Sequence, residues 1–161
     1  MEREMSMPTP NTGPHSFQMP GWISCAPFEK LLNISIIEAS EGHAVLTMPF
    51  LIDYAQGAGL MHGGALVSLA DTAVVMAIKS LLDPQTHFAT IALDARYLLP
   101  VKQGVITAKA RIIGKEDRII KGHAILSDEG NRPVMEFNST FKIAKDAKIK
   151  NVIIEEYETR H

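Results

Sequence analysis

Residues 65–82 constrain this chain most: thirteen of the eighteen are Ala, Leu, Val, Ile or Met, and neither Gly nor Pro interrupts them. At about 1.5 Å per residue such a run makes a helix of some five turns, apolar nearly all round, which must be enclosed on most sides. Asp83-Pro84 is a breaker at its end. The length also suits a membrane span, but Asp71 near the middle and Lys79 would each cost about 2.5–3.5 kcal/mol at a bilayer centre. The helix is therefore expected inside a folded domain.

What could enclose it is legible on both sides. Residues 34–40 and 43–50 are β-like and joined through Glu41-Gly42, where Gly can take the positive φ of a tight hairpin turn. In the second run Ala44, Leu46, Met48 and Phe50 alternate with His43, Val45 and Thr47. Four more β-like runs follow, at 88–98, 105–113, 118–127 and 134–143, punctuated by Pro100, Gly114 and Asp128-Glu129-Gly130-Asn131. Period 2 is clean in the last three: Ile106, Ala108, Ala110 and Ile112 share a face, as do Ile120, Gly122, Ala124 and Leu126, and Met135, Phe137, Phe141 and Ile143. Lys109, Arg111, Lys121, Glu136 and Lys142 fall opposite, so one face is core and the other mostly wet. Before the hairpin, Ser24 could cap a short helix with Pro27 in its first turn and Phe28, Leu31 and Leu32 as its buried stripe. The expected class is α+β, a curved meander of antiparallel strands wrapped around one long central helix. One side of that helix would stay bare in a monomer, which argues for a dimer.

The ends differ from the middle. Residues 1–20 hold four of the eight Met and four of the nine Pro, with no apolar period, and read as a flexible leader; the prolines interrupt any signal-peptide core. Residues 21–145 are expected to form the domain. Residues 146–161 are a tail that could be strand, helix or loose chain.

Two features of the helix could carry chemistry. Asp71 lies two turns in, between Leu69-Ala70 and Ala73-Val74-Val75. A carboxylate buried there has its pKa raised by desolvation, the condition that suits a general base near neutral pH. Ser68, Thr72 and Lys79 share its side, so a plain wet stripe at a helix edge would read the same way. At the head of the helix stands His62-Gly63-Gly64. The first amides of a helix have no internal partner and sit at the positive end of its dipole, and glycine lets a ligand approach them. A Gly-rich entry turn that only permits tight packing has the same sequence.

Taken together, Leu60-Met61-His62-Gly63-Gly64-Ala65-Leu66-Val67-Ser68-Leu69-Ala70-Asp71-Thr72-Ala73 and Thr90-Ile91-Ala92-Leu93-Asp94-Ala95-Arg96-Tyr97-Leu98-Leu99-Pro100-Val101 resemble the hotdog-fold acyl-CoA thioesterases, in the phenylacetate-pathway and 4-hydroxybenzoyl-CoA-thioesterase-like branch. The resemblance spans about residues 24–144. It implies the hotdog fold and hydrolysis of an acyl-CoA thioester, with coenzyme A as part of the substrate and no separate cofactor or metal. It implies Asp71 as general base or nucleophile, and the Gly63 amide as the group that holds the thioester oxygen. Gln56, six residues before the histidine, would be the polar amide of the site, Thr90 the hydroxyl that positions water, and His62 a neighbour of the thioester. Gly64 and Thr72 would border the substrate. A non-catalytic acyl-CoA-binding or sensing protein of the same fold is the alternative, though a sensor has no need of a general base. A hydratase of this fold would want a His a few residues after the Asp, and none occurs between His62 and His87.

Gly63 and Asp71 are eight residues apart, about 12 Å along a helix, too far for one reacting group to touch both. Two copies with antiparallel helices would bring Gly63 of one against Asp71 of the other, so the expected active unit is a homodimer, with a dimer-of-dimers tetramer left open. Phosphates of coenzyme A call for local cations, Lys115 and Arg118 at the turn before residues 118–127 foremost. Sixteen Lys plus Arg against eighteen Asp plus Glu give a net charge of −2, which leaves no field for a nucleic-acid backbone. A single cysteine, Cys25, allows no internal disulfide and fits a reducing cytoplasm. The six histidines show no ligand spacing.

Overall fold

The computed structural model describes residues 10–145. Residues 1–9 of the expected leader and the whole expected tail, 146–161, lie outside the described residues, and residues 10–19 contain no helix or strand. The elements that follow are α1 (Pro27–Leu31), β1 (Ser35–Ser40), β2 (His43–Pro49), a 3-10 turn (Ile52–Tyr54), α2 (Gly63–Lys79), β3 (Phe88–Tyr97), β4 (Val105–Glu116), β5 (Ile119–Ser127) and β6 (Pro133–Ile143). All strand pairs are antiparallel, in one six-stranded sheet of order β1-β2-β4-β5-β6-β3.

The long apolar helix lies across the sheet on β2, β4, β5 and β6. Leu69, Ala70, Ala73, Val74, Met76, Ala77 and Ile78 are fully covered, and burying each of the larger side chains stabilises the fold by about 1.5–3 kcal/mol. The inward rows of the strands are those the alternation marked, from Leu46 and Met48 to Phe137 and Phe141. At Gly122 the sheet and helix touch: a Cβ there would overlap Val74 Cγ1. On the outer face His123 is an exception to the wet pattern, buried between Arg111 and Asn138 on the flanking strands, with Nε2 3.3 Å from Glu136 Oε1.

Several local expectations change. The helix begins two residues early, because the His62 side chain accepts the Gly64 N–H and caps it, and it stops at Lys79, not Leu82. Ser80 ends it: its hydroxyl donates to Ala77 O (2.6 Å) and accepts from Gly42 N–H (2.8 Å), tying the helix end to the hairpin turn. That turn carries positive φ at both Glu41 (48°) and Gly42 (79°), as a two-residue hairpin requires. Gly114 does not end β4; the strand passes through it with a bulge between Ile112 and Gly114 and turns at Asp117, φ 52°. Ser24 does not cap α1. Its hydroxyl donates to Gly21 O, and the cap is Ala26, without a side-chain bond. Phe28 and Leu31 are exposed and only Leu32 of the expected stripe is buried, since a helix of little more than one turn has one side to bury.

The larger difference is β3. It joins the far edge of the sheet beside β6, so only β4, β5 and β6 form a meander, while β2 pairs with β4. The helix carries the chain across the sheet, and the next strand enters at the opposite edge.

Candidate active site

The loop before α2 is fixed from below. Buried Tyr54 accepts the His62 N–H on its carbonyl (2.7 Å), and its hydroxyl accepts from Asn33 Nδ2 (2.7 Å) and donates to Leu31 O (3.0 Å). Met61 N–H donates to Val101 O, which fastens the loop to the segment after β3. His62 accepts the Gly64 N–H on Nδ1 (2.8 Å), so in the neutral ring the proton sits on Nε2. Gly64, expected beside the substrate, thus has its amide engaged by His62. The Gly63 N–H, first of the helix, has no acceptor among the described residues, and it stands at the positive end of the dipole. A Cβ on Gly63 would lie 2.7 Å from Tyr97 Oη. His62, Gly63, Gly64, Gln56, Tyr97 and Pro100 border a cavity of about 610 Å³ at this end of the helix. Within it the Gln56 carboxamide oxygen accepts the Ala58 N–H, and the backbone of Gln56 bonds Leu60 and Gly59 across the loop.

Two turns further along, Asp71 is half-buried on the strip of α2 that the sheet leaves open, with Gly63, Val67, Ser68, Val75 and Lys79. Thr90 Oγ1 donates to its carboxylate, 3.1 Å from Oδ1 and 3.3 Å from Oδ2. Burial pushes the Asp71 carboxyl above the usual range, and the Thr90 hydrogen bond offsets part of that. Ser68 Oγ is turned back onto Gly64 O (2.8 Å), and Thr72 is buried, 7% exposed, away from the open strip.

A β-bulge sets both strand residues of the site. In the β3–β6 pairing Thr90 faces Phe141 and Ala92 faces Thr140, which leaves Ile91 as the extra residue. Before the bulge Phe88 and Thr90 pair with the inward residues Ile143 and Phe141; after it Leu93, Ala95 and Tyr97 pair with the inward Ser139, Phe137 and Met135. Residues seven apart in a regular strand point to opposite faces; the bulge brings Thr90 and Tyr97 to the same one. The Tyr97 phenol beside Gly63 is the site residue that sequence reasoning missed as a functional group. It had a signal: Tyr97 is the aromatic of the Tyr97-Leu98-Leu99-Pro100 strand end.

Structure therefore brings together His62, Gly63, Gln56 and Tyr97 at one place, and Asp71 and Thr90 at another. Within one protomer these stay apart, about 12 Å along the helix and about 20 Å along the strand. Lys115 on β4 is exposed and Arg118 in the following turn is partly covered. Both lie at the end of the sheet where β3 begins, since Arg118 O accepts from Ile143 N–H and Ile143 pairs with Phe88. They are far from Gly63 of the same chain. Among the described residues no helix is long and apolar enough to cross a membrane.

Comparison with known proteins agrees with this architecture. Residues 58–135 match the family model described as the thioesterase superfamily. The Bacillus subtilis protein named "Putative esterase ComA2" is 30% identical over 115 residues, 71% of this chain and 91% of that one. The Escherichia coli acyl-coenzyme A thioesterase PaaI is 47% identical over 51 residues, 32% of this chain and 36% of its own. The solved structure of the E. coli PaaI protein from the phenylacetic acid degradation operon superimposes with a TM-score of 0.68 at 26% identity, covering 74% of this chain and 85% of that one. The matched segment contains Gly63, Asp71, Thr90 and Tyr97, the residues on which the two halves of the site are built. This chain is a hotdog-fold enzyme of the thioesterase superfamily.

Proposed function

We propose that the chain hydrolyses acyl-CoA thioesters to the free acid and coenzyme A, at two equivalent sites shared across a homodimer. The observation that carries this is the pairing, along one helix, of a free N-terminal amide at Gly63 with a burial-perturbed carboxylate at Asp71 held by Thr90. A thioester needs both an oxyanion donor and a base, and the two are out of reach of each other in one protomer. Antiparallel packing of two α2 helices supplies one from each copy. Strand β3 supports that packing: it is an edge strand, and Ile91, Leu93 and Tyr97 stay 56%, 49% and 54% exposed, an apolar strip that a second copy would cover.

In the proposed reaction the Gly63 N–H and the helix dipole polarise the thioester carbonyl. Water, oriented by Thr90, forms the new C–O bond while Asp71 takes its proton. The oxyanion then collapses, the C–S bond breaks, and Asp71 returns the proton to the departing coenzyme A thiolate. His62 and Gln56 border the carbonyl from the loop side. The phosphates would find Lys102, which borders a second hollow that shares residues 99–101 with the Gly63 cavity; Arg132 borders it too but is paired with Asp128, Nη2 2.7 Å from Oδ2, and Lys115 and Arg118 could serve only a site completed by the partner. A cytoplasmic location fits the lone Cys25.

The test is thiol release from acetyl-, hexanoyl-, phenylacetyl- and palmitoyl-CoA by wild type and Asp71→Asn. Turnover of at least one substrate, lost in Asp71→Asn, is the expected result. Binding of acyl-CoA without release of thiol would overturn hydrolysis in favour of a sensing role.

A further inference from the structure

Behind Asp71 the open strip of α2 continues as Val75 and Lys79, one and two turns on. Residues 86–90 run alongside it. Between them lies a groove of about 300 Å³ lined by Trp22, Val75, Phe88, Thr90 and Phe141. It starts at Thr90, the partner of Asp71, and ends about 12 Å away at Lys79. There it is closed by a residue from far away in sequence. Trp22 Nε1 donates to Lys79 O (2.9 Å), Lys79 Nζ donates to Trp22 O (3.0 Å), and the ammonium stands 4.9 Å from the indole centroid. Two reciprocal hydrogen bonds and a cation–π contact hold the indole where a mobile N-terminal segment could not. Burial lowers the Lys79 pKa.

In the proposed dimer the hollow at Gly63 of one protomer and the groove behind Asp71 of its partner flank the reacting carbon, and the two differ in kind. The one at Gly63 continues onto an open shelf that carries Lys102 beside the Arg132–Asp128 ion pair. The one behind Asp71 is an open groove with Val75, Phe88, Phe141 and Trp22 as apolar and aromatic walls and Lys79, Thr86 and His87 as polar ones; its apolar side is what a hydrocarbon would lie against. At about 300 Å³ the groove has room for a ring or a short chain before the Trp22 indole at its Lys79 end.

We propose that Trp22, locked by Lys79, is the end wall of the acyl-binding groove and sets the longest acyl group the enzyme accepts, an inference that rests on the thioesterase reading above. Trp22 acts by occupying the far end of the groove and takes no part in the bond-making steps.

The experiment compares kcat/KM for acetyl-, hexanoyl- and palmitoyl-CoA in the full-length wild type, Trp22→Ala and Val75→Phe, with melting curves confirming the fold. Removing the wall should raise the palmitoyl-to-hexanoyl ratio by at least about tenfold. Filling the groove midway with Val75→Phe should lower the hexanoyl-to-acetyl ratio by a similar factor, which tests that the groove holds the chain; Trp22→Leu, a shorter apolar wall, decides the end-wall role if Trp22→Ala does not fold. A merely structural Trp22 would depress all three substrates alike; unchanged ratios in the folded variants would overturn the end-wall role while leaving the hydrolase intact. Absence of turnover on every substrate in wild type would instead overturn the thioesterase reading, and the wall with it.

Discussion

Asp71→Asn should trade activity for stability, and both parts follow from one environment. Asn keeps the shape of Asp and an oxygen to accept from Thr90 Oγ1, now 3.1 Å from Oδ1, so the site should keep its geometry. It cannot take a proton from water. Losing a positioned general base costs about 100- to 10,000-fold in rate, or about 3–5 kcal/mol of barrier. Stability should move the other way. Burial holds the folded carboxyl above its unfolded range, so the folded state binds the proton more tightly; the stability this group contributes is fully present below the unfolded pKa, near 4, and is lost as pH rises through the raised folded value. At pH 7 the wild type therefore carries the cost of a half-buried charge that Asn lacks. Thiol release and thermal melts at pH 7 should show a large loss of kcat with a higher Tm, and the Tm gap should shrink as pH falls toward 4. The pH profile of kcat/KM should also lose its acid limb in the variant. Activity within a few-fold of wild type, or a Tm that falls at pH 7, would refute the placement of a perturbed base at Asp71.

Gly63→Ala should cut kcat about 100- to 1,000-fold, as for a lost oxyanion donor, because its Cβ would lie 2.7 Å from Tyr97 Oη and displace the amide; adding Tyr97→Ala should restore part of the rate in the same thiol-release assay. Gly122→Ala should destabilise by about 1–3 kcal/mol in urea unfolding through its overlap with Val74, and Val74→Ala should relieve most of that. Mixing Asp71→Ala with Gln56→Ala protein, after subunit exchange verified by mass, should return about a quarter of wild-type activity, since half the dimers are mixed and each holds one intact site. No recovery would mean that each chain builds its own site.

Local periodicity made most of the framework readable. The helix from residue 65, the hairpin at Glu41-Gly42 and the inward rows of β2, β4, β5 and β6 each depend on residues within a few positions of one another, and α-helical and β-strand periods expose them directly. Asp71 stood out for a comparable reason: a carboxylate within an apolar helix is conspicuous wherever the helix packs. The His62-Gly63-Gly64 entry could be read, but the division of labour could not. Which amide the histidine side chain occupies and which it leaves free is a matter of a rotamer, the one in which Nδ1 accepts the Gly64 N–H.

Other features belong to contacts between distant segments, and the sequence holds them only implicitly. The expected meander failed at β3 because edge choice depends on where the helix delivers the chain. Period 2 was illegible in the same strand because a bulge at Ile91 reverses which residues face inward, and its position is set by pairing with β6. Trp22 and Lys79, 57 residues apart, meet only when the N-terminal segment folds over the end of α2. Sequence alone thus determined a central helix, a sheet to cover it and a carboxylate that needed a purpose, all written in short-range pattern. Only tertiary structure decided which hydroxyl reaches that carboxylate, which phenol stands at the helix entrance and which indole meets Lys79, because register, edge order and long-range packing are settled by the whole fold at once.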